Sequence, residues 1–314
     1  MRMIEISAPG SVRQAFAMEV PGDIRALRVN ASGTRAAAAT VDGQVLTLEV
    51  IDSAPVWRLW AAGRRCRALA WSPDGEQLAA EIDRRLVVGD AAGGRDTGAH
   101  VEDASDLVWW KQHTIAIATP IAWPPIALYA PGGEALGTLA PVVRPVGTHS
   151  PKLAVARDVE ALAFSYVQDV VAVFAATADC REVPPPSASV PSTSALTHHL
   201  RLSADASRAA VVAAPMQAES LTDIRTADLA TQTFLPAIRI AASAVLAFSP
   251  QLSAGYCAPR GKKQVIRWSA AEPPVLLGVT PEPMWGLEVV GRQLWMWSWR
   301  RLAILDLADK NDSG

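Results

Sequence analysis

One pattern recurs seven times along the 314-residue chain and limits what the chain can fold into. Its clearest copy spans residues 66–90 and reads as an apolar strand over residues 67–71, a turn at residues 72–75, and two further strands over residues 76–82 and 85–88. Tight turns of this kind join antiparallel neighbours, so each copy predicts one small antiparallel sheet. A chain built from such copies is a repeat fold.

The copies share a pair of apolar residues two positions apart, followed by a turn. The seven pairs are Leu27 and Val29, Leu69 and Trp71, Leu107 and Trp109, Leu153 and Val155, Leu200 and Leu202, Leu246 and Phe248, and Leu287 and Val289. Successive pairs are separated by about 38 to 47 residues, a spacing typical of propeller blades. Turn-forming residues follow four of the pairs at the same offset, at residues 30–33, 72–75, 203–206 and 249–251.

Many of the predicted strands are apolar on both faces, as expected for sheets packed between two other sheets. A fourth, outer strand is expected about a dozen residues before each pair. For the first pair, which begins at Leu27, this strand falls on residues 14–20. We expect that strand to join the last blade and close the ring, because closure removes exposed sheet edges. The sequence therefore predicts an all-β, seven-bladed β-propeller of four-stranded antiparallel blades. Residues 1–308 are expected to form one domain and residues 309–314 a flexible tail.

Two stretches carry a resemblance to a known family. LAWSPDG, at residues 69–75, and LAFSP, at residues 246–250, resemble the turn between the first two strands of WD40 repeats. The Gly-His and Trp-Asp dipeptides of that family have no clear copies here, so the chain resembles a divergent member. The resemblance implies a noncatalytic scaffold that holds one or more partner proteins within a larger assembly.

Composition narrows the environment and the partners. The net charge of -2 argues against nucleic acid as a partner, because it gives no long-range attraction to phosphates. The least charged stretch, residues 115–133, contains four prolines, so we expect strands there and no membrane-spanning helix. Three widely spaced cysteines, Cys66, Cys180 and Cys257, favour free thiols in a reducing compartment. Together with the absence of a signal-peptide pattern, this predicts a cytoplasmic protein.

Common catalytic motifs are missing from the sequence, and no cofactor is expected. It contains no GxSxG elbow, no phosphate-binding GxxxxGK[ST] loop, no HExxH and no paired CxxC. One enzymatic alternative remains, a propeller-type hydrolase or lyase with a metal at the channel mouth. It rests on four histidines in predicted connections that enter first strands, His100, His149, His198 and His199.

Charged residues mark the segments that enter the second and third repeats. Arg64, Arg65 and Arg67 precede the second repeat. The third repeat is preceded by Glu102 and Asp103 and begins near Asp106. Equivalent connections of adjacent blades lie on one face, so these residues predict a basic patch beside an acidic one. Such a pair suits electrostatic complementarity with a protein partner, whereas the simpler interpretation is solvated loop charge.

Other candidates lie at or near the predicted channel. The residue between each apolar pair should be small, yet it is Arg28, Arg201 and Glu288 in repeats one, five and seven. We expect either an ion pair between Arg28 and Glu288 across the closing seam, or arginines that bind an anion or acidic peptide at the channel mouth. His199 is a further candidate for partner binding.

A run of alternating tryptophans adds one more candidate. Trp295, Trp297 and Trp299 share one strand face, which is typical of packing between blades. Trp299 precedes the turn at Arg300 and Arg301, so it is the one expected to reach solvent and a partner.

Overall fold

The structure is a computed structural model. It describes residues 2–4, 12–51, 54–120, 122–141, 151–156, 158–166, 170–174, 180–183, 195–215, 222–234, 238–240, 244–259, 261–269 and 274–307. The predicted tail at residues 309–314 lies outside these ranges. In the described part, no helix is long and apolar enough to cross a membrane.

Seven antiparallel sheets, here called blades 1 to 7 in chain order, contain all of the strands. The chain starts each blade with its inner strand. The inner strands are Ile24–Val29, Cys66–Trp71, Asp106–Lys111, Lys152–Val155, Ala195–Leu202, Ala244–Phe248 and Gly286–Val290. The second strands are Arg35–Thr40, Leu78–Ile82, Thr114–Ala118, Leu162–Tyr166, Arg208–Pro215, Ala254–Pro259 and Gln293–Trp297. Each of the seven predicted apolar pairs falls within an inner strand.

The outer half of each blade follows in the same order. The third strands are Gln44–Ile51, Arg85–Asp90, Ile126–Tyr129, Val170–Phe174, Thr222–Asp228, Gln264–Ser269 and Arg301–Leu307. The outer strands of blades 1 to 4 and 6 are Ala54–Ala62, Gly93–His100, Ala135–Leu139, Cys180–Val183 and Val275–Val279. In blade 5 two short strands, Thr233–Phe234 and Ile238–Ile240, both pair with the third strand. The predicted all-β seven-bladed propeller is confirmed.

The N-terminal part of the chain closes the ring. Val12–Glu19 pairs with Arg301–Leu307, with Met18 opposite Leu302, and so supplies the outer strand of blade 7. This confirms the strand predicted near residues 14–20. A short strand, Arg2–Ile4, adds a fifth member to the same sheet, which the sequence did not predict. Blade 7 is therefore built from both ends of the described chain.

The hydrophobic core lies between the blades. Seven buried clusters correspond to the seven contacts between neighbouring blades. On the inner strand of blade 2, Leu69 and Trp71 pack against blade 1, whereas Ala68 and Ala70 face blade 3. Because every sheet is covered on both faces, its strands are apolar on both faces.

The tight turns after the inner strands repeat the same hydrogen bonds. In blade 2, the Ser72 hydroxyl donates to the Asp74 carboxylate at 2.5 Å and accepts from the Gln77 N–H at 2.9 Å. Ser203 makes the corresponding bonds in blade 5, to Asp205 at 2.7 Å and from Arg208 at 2.9 Å. The shared turn chemistry predicted from the sequence thus corresponds to a shared local structure.

The direction of the strands gives the ring two distinct faces. The segments that cross from one blade to the next, and the turns between second and third strands, lie on what we call the crossover face. The turns that join inner to second strands, and third to outer strands, lie on the opposite, hairpin face. Each inner strand therefore runs from the crossover face to the hairpin face.

Two glycines allow tryptophans to pack flat across a blade. Gly286 is paired with Trp297, and Gly255 with Trp268. A Cβ atom on Gly286 would lie 1.8 Å from Cζ2 of Trp297, so no larger residue fits without moving the buried indole.

We therefore expect Gly286→Ala to lower the free energy of unfolding by about 1–3 kcal/mol, the usual cost of overpacking a core. Urea denaturation followed by tryptophan fluorescence measures this change. Gly132→Ala is the matched control, because a Cβ there meets no atom within 4 Å. Equal stability of the two variants would contradict the proposed packing role.

Ring closure makes a second prediction. A chain that starts at residue 12 keeps the closing strand, whereas one that starts at residue 20 leaves Arg301–Leu307 as an unpaired edge. We expect only the shorter chain to self-associate, because open strand edges pair with other chains. Size-exclusion chromatography with light scattering distinguishes them, and two monomers of equal thermal stability would argue against closure by this strand.

Candidate partner-binding surface on the crossover face

The first part of the surface is a cluster of arginines on blade 2, formed by Arg64, Arg65, Arg67 and Arg84 and called here the arginine seam. Its backbone is fixed by Asp83, whose carboxylate accepts hydrogen bonds from the N–H groups of Arg64, at 2.9 Å, and Arg65, at 3.0 Å. The Asp83 N–H in turn donates to the Arg65 carbonyl at 3.0 Å. These bonds tie the crossover into blade 2 to the turn between its second and third strands.

Close glycine contacts hold the same crossover from the other side. A Cβ atom on Gly43, whose φ is +87°, would lie 2.5 Å from the Gly63 carbonyl oxygen and 2.5 Å from the Arg64 carbonyl carbon. The Gly63 N–H donates to the Gly43 carbonyl at 3.2 Å. The backbone of Arg64 and Arg65 is therefore enclosed between turns of blades 1 and 2.

The predicted acidic segment meets the arginine seam directly. Asp103, at the crossover into blade 3, forms an ion pair of 2.8 Å with Arg67 and a longer one of 3.5 Å with Arg84. Glu102 is exposed beside them. The two segments are adjacent, as expected, but the Asp103 carboxylate is paired with arginines of the same chain.

Glu81 lies beneath the seam. Glu81 is only 1% exposed, and its Oε1 accepts a hydrogen bond from the backbone N–H of Arg84 at 2.7 Å. Its Oε2 has no hydrogen-bond donor among the described residues. Burial in this position raises the pKa of the Glu81 carboxyl above its ordinary value, although the nearby arginines oppose the change.

Asp106 does not belong to the exposed acidic group. Its Oδ2 accepts the backbone N–H of Leu153 at 3.0 Å, on the inner strand of blade 4, and its Oδ1 accepts the N–H of Leu107. The carboxylate therefore links the inner strands of two blades. Its sequence neighbourhood suggested a surface charge because the sequence does not show which way an inner-strand side chain faces.

Glu288 makes the same kind of link at the closing seam. Its Oε2 accepts the backbone N–H of Val29 at 3.0 Å, so the carboxylate of blade 7 binds the main chain of blade 1. The ion pair expected with Arg28 is not the contact that forms. The Arg28 guanidinium instead donates to the Leu27 carbonyl at 3.1 Å.

The channel arginines open on the other side of the ring. Arg28 and Arg201 line a cavity of about 340 Å³ together with Glu288 and turns of the hairpin face. Both lie near the ends of their inner strands, which places them close to that face. Arg201 donates to the Leu200 carbonyl at 3.2 Å, matching the geometry of Arg28. These two candidates are therefore separated from the arginine seam.

The histidines that the structure describes lie in three separate parts of the ring. His113 is exposed on the hairpin face, and His100 is exposed at the end of the outer strand of blade 2. His198 and His199 lie within an inner strand and not in the connection predicted for them, because that strand begins at Ala195, earlier than predicted. His149 lies outside the described residues. Among the residues that are described, no three His, Cys, Asp or Glu side chains are grouped closely enough to hold a metal ion.

A tryptophan pair forms the second part of the surface. Trp295 and Trp297 are buried, whereas Trp299 is 47% exposed, as expected for the residue before the turn. Trp299 packs on Trp285, which is 39% exposed, with ring centroids 4.6 Å apart. Beside them, Arg300 forms an ion pair of 2.5 Å with Asp23 of the crossover into blade 1.

Sequence reasoning missed several members of this surface. Asp83 and Arg84 fall between two predicted strands, and nothing in the sequence alone distinguishes Trp285 or Asp23. Each contributes through a partner distant in sequence, such as Trp299 for Trp285. The one available signal was the turn at residues 83–84, where a rigid turn on the same face as the arginines could have been expected.

Comparison with known proteins supports the fold. No protein-family model and no curated protein matches the sequence. The crystal structure of the Cps50 (Swd1) β-propeller domain of Myceliophteria thermophila matches with a TM-score of 0.67 at 15% identity, covering 97% of this chain and 100% of that one. This likeness agrees with the β-propeller fold of the chain. Because 1395 solved chains resemble it, the likeness does not select a function.

The buried carboxyl of Glu81 gives a pH-dependent prediction. Its folded pKa exceeds its unfolded value, near 4.5, so the folded state holds the proton more tightly. Unfolding free energy should therefore be highest below pH 4.5 for this group and fall as the pH rises through the folded pKa. We expect Glu81→Gln to remove that loss, so that the variant gains stability relative to the native chain as the pH rises.

Urea denaturation across this pH range measures the difference. Glu102→Gln is the control, since it neutralises an exposed carboxylate beside the same seam. If the difference in unfolding free energy between Glu81→Gln and the native chain does not change with pH, the pKa of the buried carboxyl is not raised by folding.

Proposed function

We propose that this protein is a noncatalytic interaction module that binds one or more partner proteins through its crossover face within a larger assembly. The observation that carries the proposal is the position of the arginine seam and the tryptophan pair on that same face. Trp and Arg are the side chains that contribute most binding energy in protein interfaces. An exposed, packed tryptophan pair has no evident role in the core of a propeller.

The arrangement of blades supports the same conclusion. Blades 7, 1 and 2 are consecutive around the ring, so the tryptophan pair and the arginine seam are separated by one blade. Val41, exposed in a turn of blade 1, lies on the crossover face between them. Its N–H donates to the Asp23 carbonyl at 2.8 Å, which connects that turn to the region of Arg300.

The enzymatic alternative has no comparable support. His100, His113 and His199 lie on separate elements, and in the described part no three His, Cys, Asp or Glu side chains are close enough to hold a metal ion. We further propose that residues 1–308 act as one domain and that the protein works in the cytoplasm. Cys66 and Cys257 are buried free thiols, and burial raises their pKa to about 12 and about 11, which suits inert core residues.

A test compares two equally exposed residues on opposite faces. Trp299→Ala truncates the crossover face, and Val159→Ala, on a hairpin-face turn of blade 4, is the control, since each residue is 47% exposed. We expect Trp299→Ala to weaken partner binding by about 2 kcal/mol, near 30-fold, as interface tryptophans do.

The measurement is quantitative crosslinking mass spectrometry on tagged protein from its native cells. Crosslinks to partners should map to blades 7, 1 and 2 and decrease only in Trp299→Ala. Crosslinks confined to the hairpin face, or an equal loss with Val159→Ala, would refute the proposal.

A further inference from the structure

We propose that the arginine seam is a recognition site for an acidic peptide segment, whose carboxylate or phosphate oxyanions are bound by Arg64, Arg65 and Arg84. The inference rests on the proposed interaction function and names the chemistry of the partner at one part of the crossover face.

The seam bounds a cleft of about 530 Å³ on the crossover face. The cleft is lined by the four arginines of the seam together with Glu81 and Asp83. A planar guanidinium binds a carboxylate or phosphate through two parallel hydrogen bonds. A cleft lined by four such groups is therefore suited to an extended segment that carries several acidic groups.

Three carboxylates that line the cleft or pair with its arginines are already engaged. Asp83 accepts from two backbone N–H groups, and Asp103 is shared between Arg67 and Arg84. Glu81 is buried under the seam and binds the Arg84 N–H. None of these three side-chain carboxylates forms an ion pair with Arg64 or Arg65.

Arg64 and Arg65 are the arginines left for a partner. Both are exposed, and neither forms a side-chain ion pair with any residue that the structure describes. Arg84 is also accessible, since its side chain is 61% exposed and its contact with Asp103 is long, at 3.5 Å. The free charge of the seam is therefore positive at its outer surface.

The backbone beneath these arginines is held in place before any partner arrives. The Asp83 carboxylate and the close contact with Gly43 fix the crossover that carries Arg64 and Arg65. A fixed backbone lowers the entropy lost on binding, so two exposed arginines gain more here than on a freely moving loop.

A peptide fits this site better than a nucleic acid does. Nucleic acids are bound along extended basic stripes, whereas this seam is confined to one blade and bordered by Glu102 and Asp103. The chain as a whole carries a net charge of -2, which gives no general attraction to a phosphate backbone.

The test uses fluorescence anisotropy with three labelled probes: a hexaglutamate peptide, a peptide of equal length containing phosphoserines, and a single-stranded DNA oligonucleotide. The full chain should bind at least one of the peptides, more weakly as the salt concentration rises to about 0.15 M. The first peptide identifies carboxylate recognition and the second phosphate recognition. Tighter binding of the oligonucleotide would overturn the proposal.

Two variants of equal net charge separate recognition from general attraction. Arg64→Ala with Arg65→Ala should weaken peptide binding about tenfold or more, because two charged contacts are lost. Arg58→Ala with Arg95→Ala removes two exposed arginines from outer strands and should leave the affinity unchanged. Equal loss in both variants, or no peptide binding by the native chain, would refute acidic recognition.

A third variant tests the role of the guanidinium group. Arg64→Lys with Arg65→Lys keeps the charge but removes the paired donors, and an affinity between those of the native chain and the alanine variant is expected. Affinity equal to the native value would contradict paired recognition. Failure of all these experiments would leave partner crosslinks at the tryptophan pair intact, so it is distinguishable from failure of the proposed function.

Discussion

The structure depends on an alternation along its inner strands, in which one set of side chains packs on the preceding blade and the next set on the following blade. Leu27 and Val29 face blade 7, whereas Ala26 faces blade 2. Because side chains on a strand alternate with a period of two, one register decides both contacts at once. A shift of one residue would place a leucine where the next blade leaves room for an alanine.

The same register places charge at the channel. Arg28, Arg201 and Glu288 occupy the position that is alanine in blades 2, 4 and 6, and all three line the channel cavity. Inner strands have one edge without a neighbouring strand, so some of their backbone N–H groups need other partners. Glu288 and Asp106 each supply a carboxylate to the next blade. Charge near the axis therefore serves assembly of the ring.

The fold was predictable because its determinants repeat, whereas the site was predictable only in part. The seven apolar pairs were enough to infer the number of blades. The additional strand before the first pair was enough to infer closure of the ring. The proximity of Arg67 to Asp103 also followed, since equivalent segments of neighbouring blades share a face. The partner of Asp106 did not follow, because it depends on the twist between two blades and on a backbone group 47 residues away.

The channel and the arginine seam are the two charged regions where a partner could bind. They differ in the hydrogen bonds that their charged side chains make within the chain. At the channel, Glu288 and Arg28 are bound to main-chain groups of the ring, so a ligand would have to replace contacts that join strands or orient side chains. At the arginine seam, the main-chain bonds are made by Asp83, while Arg64 and Arg65 extend from the backbone that it fixes. A partner that binds Arg64 and Arg65 there displaces none of these main-chain bonds. Binding at the crossover face therefore costs the propeller less of its own stability than binding in the channel.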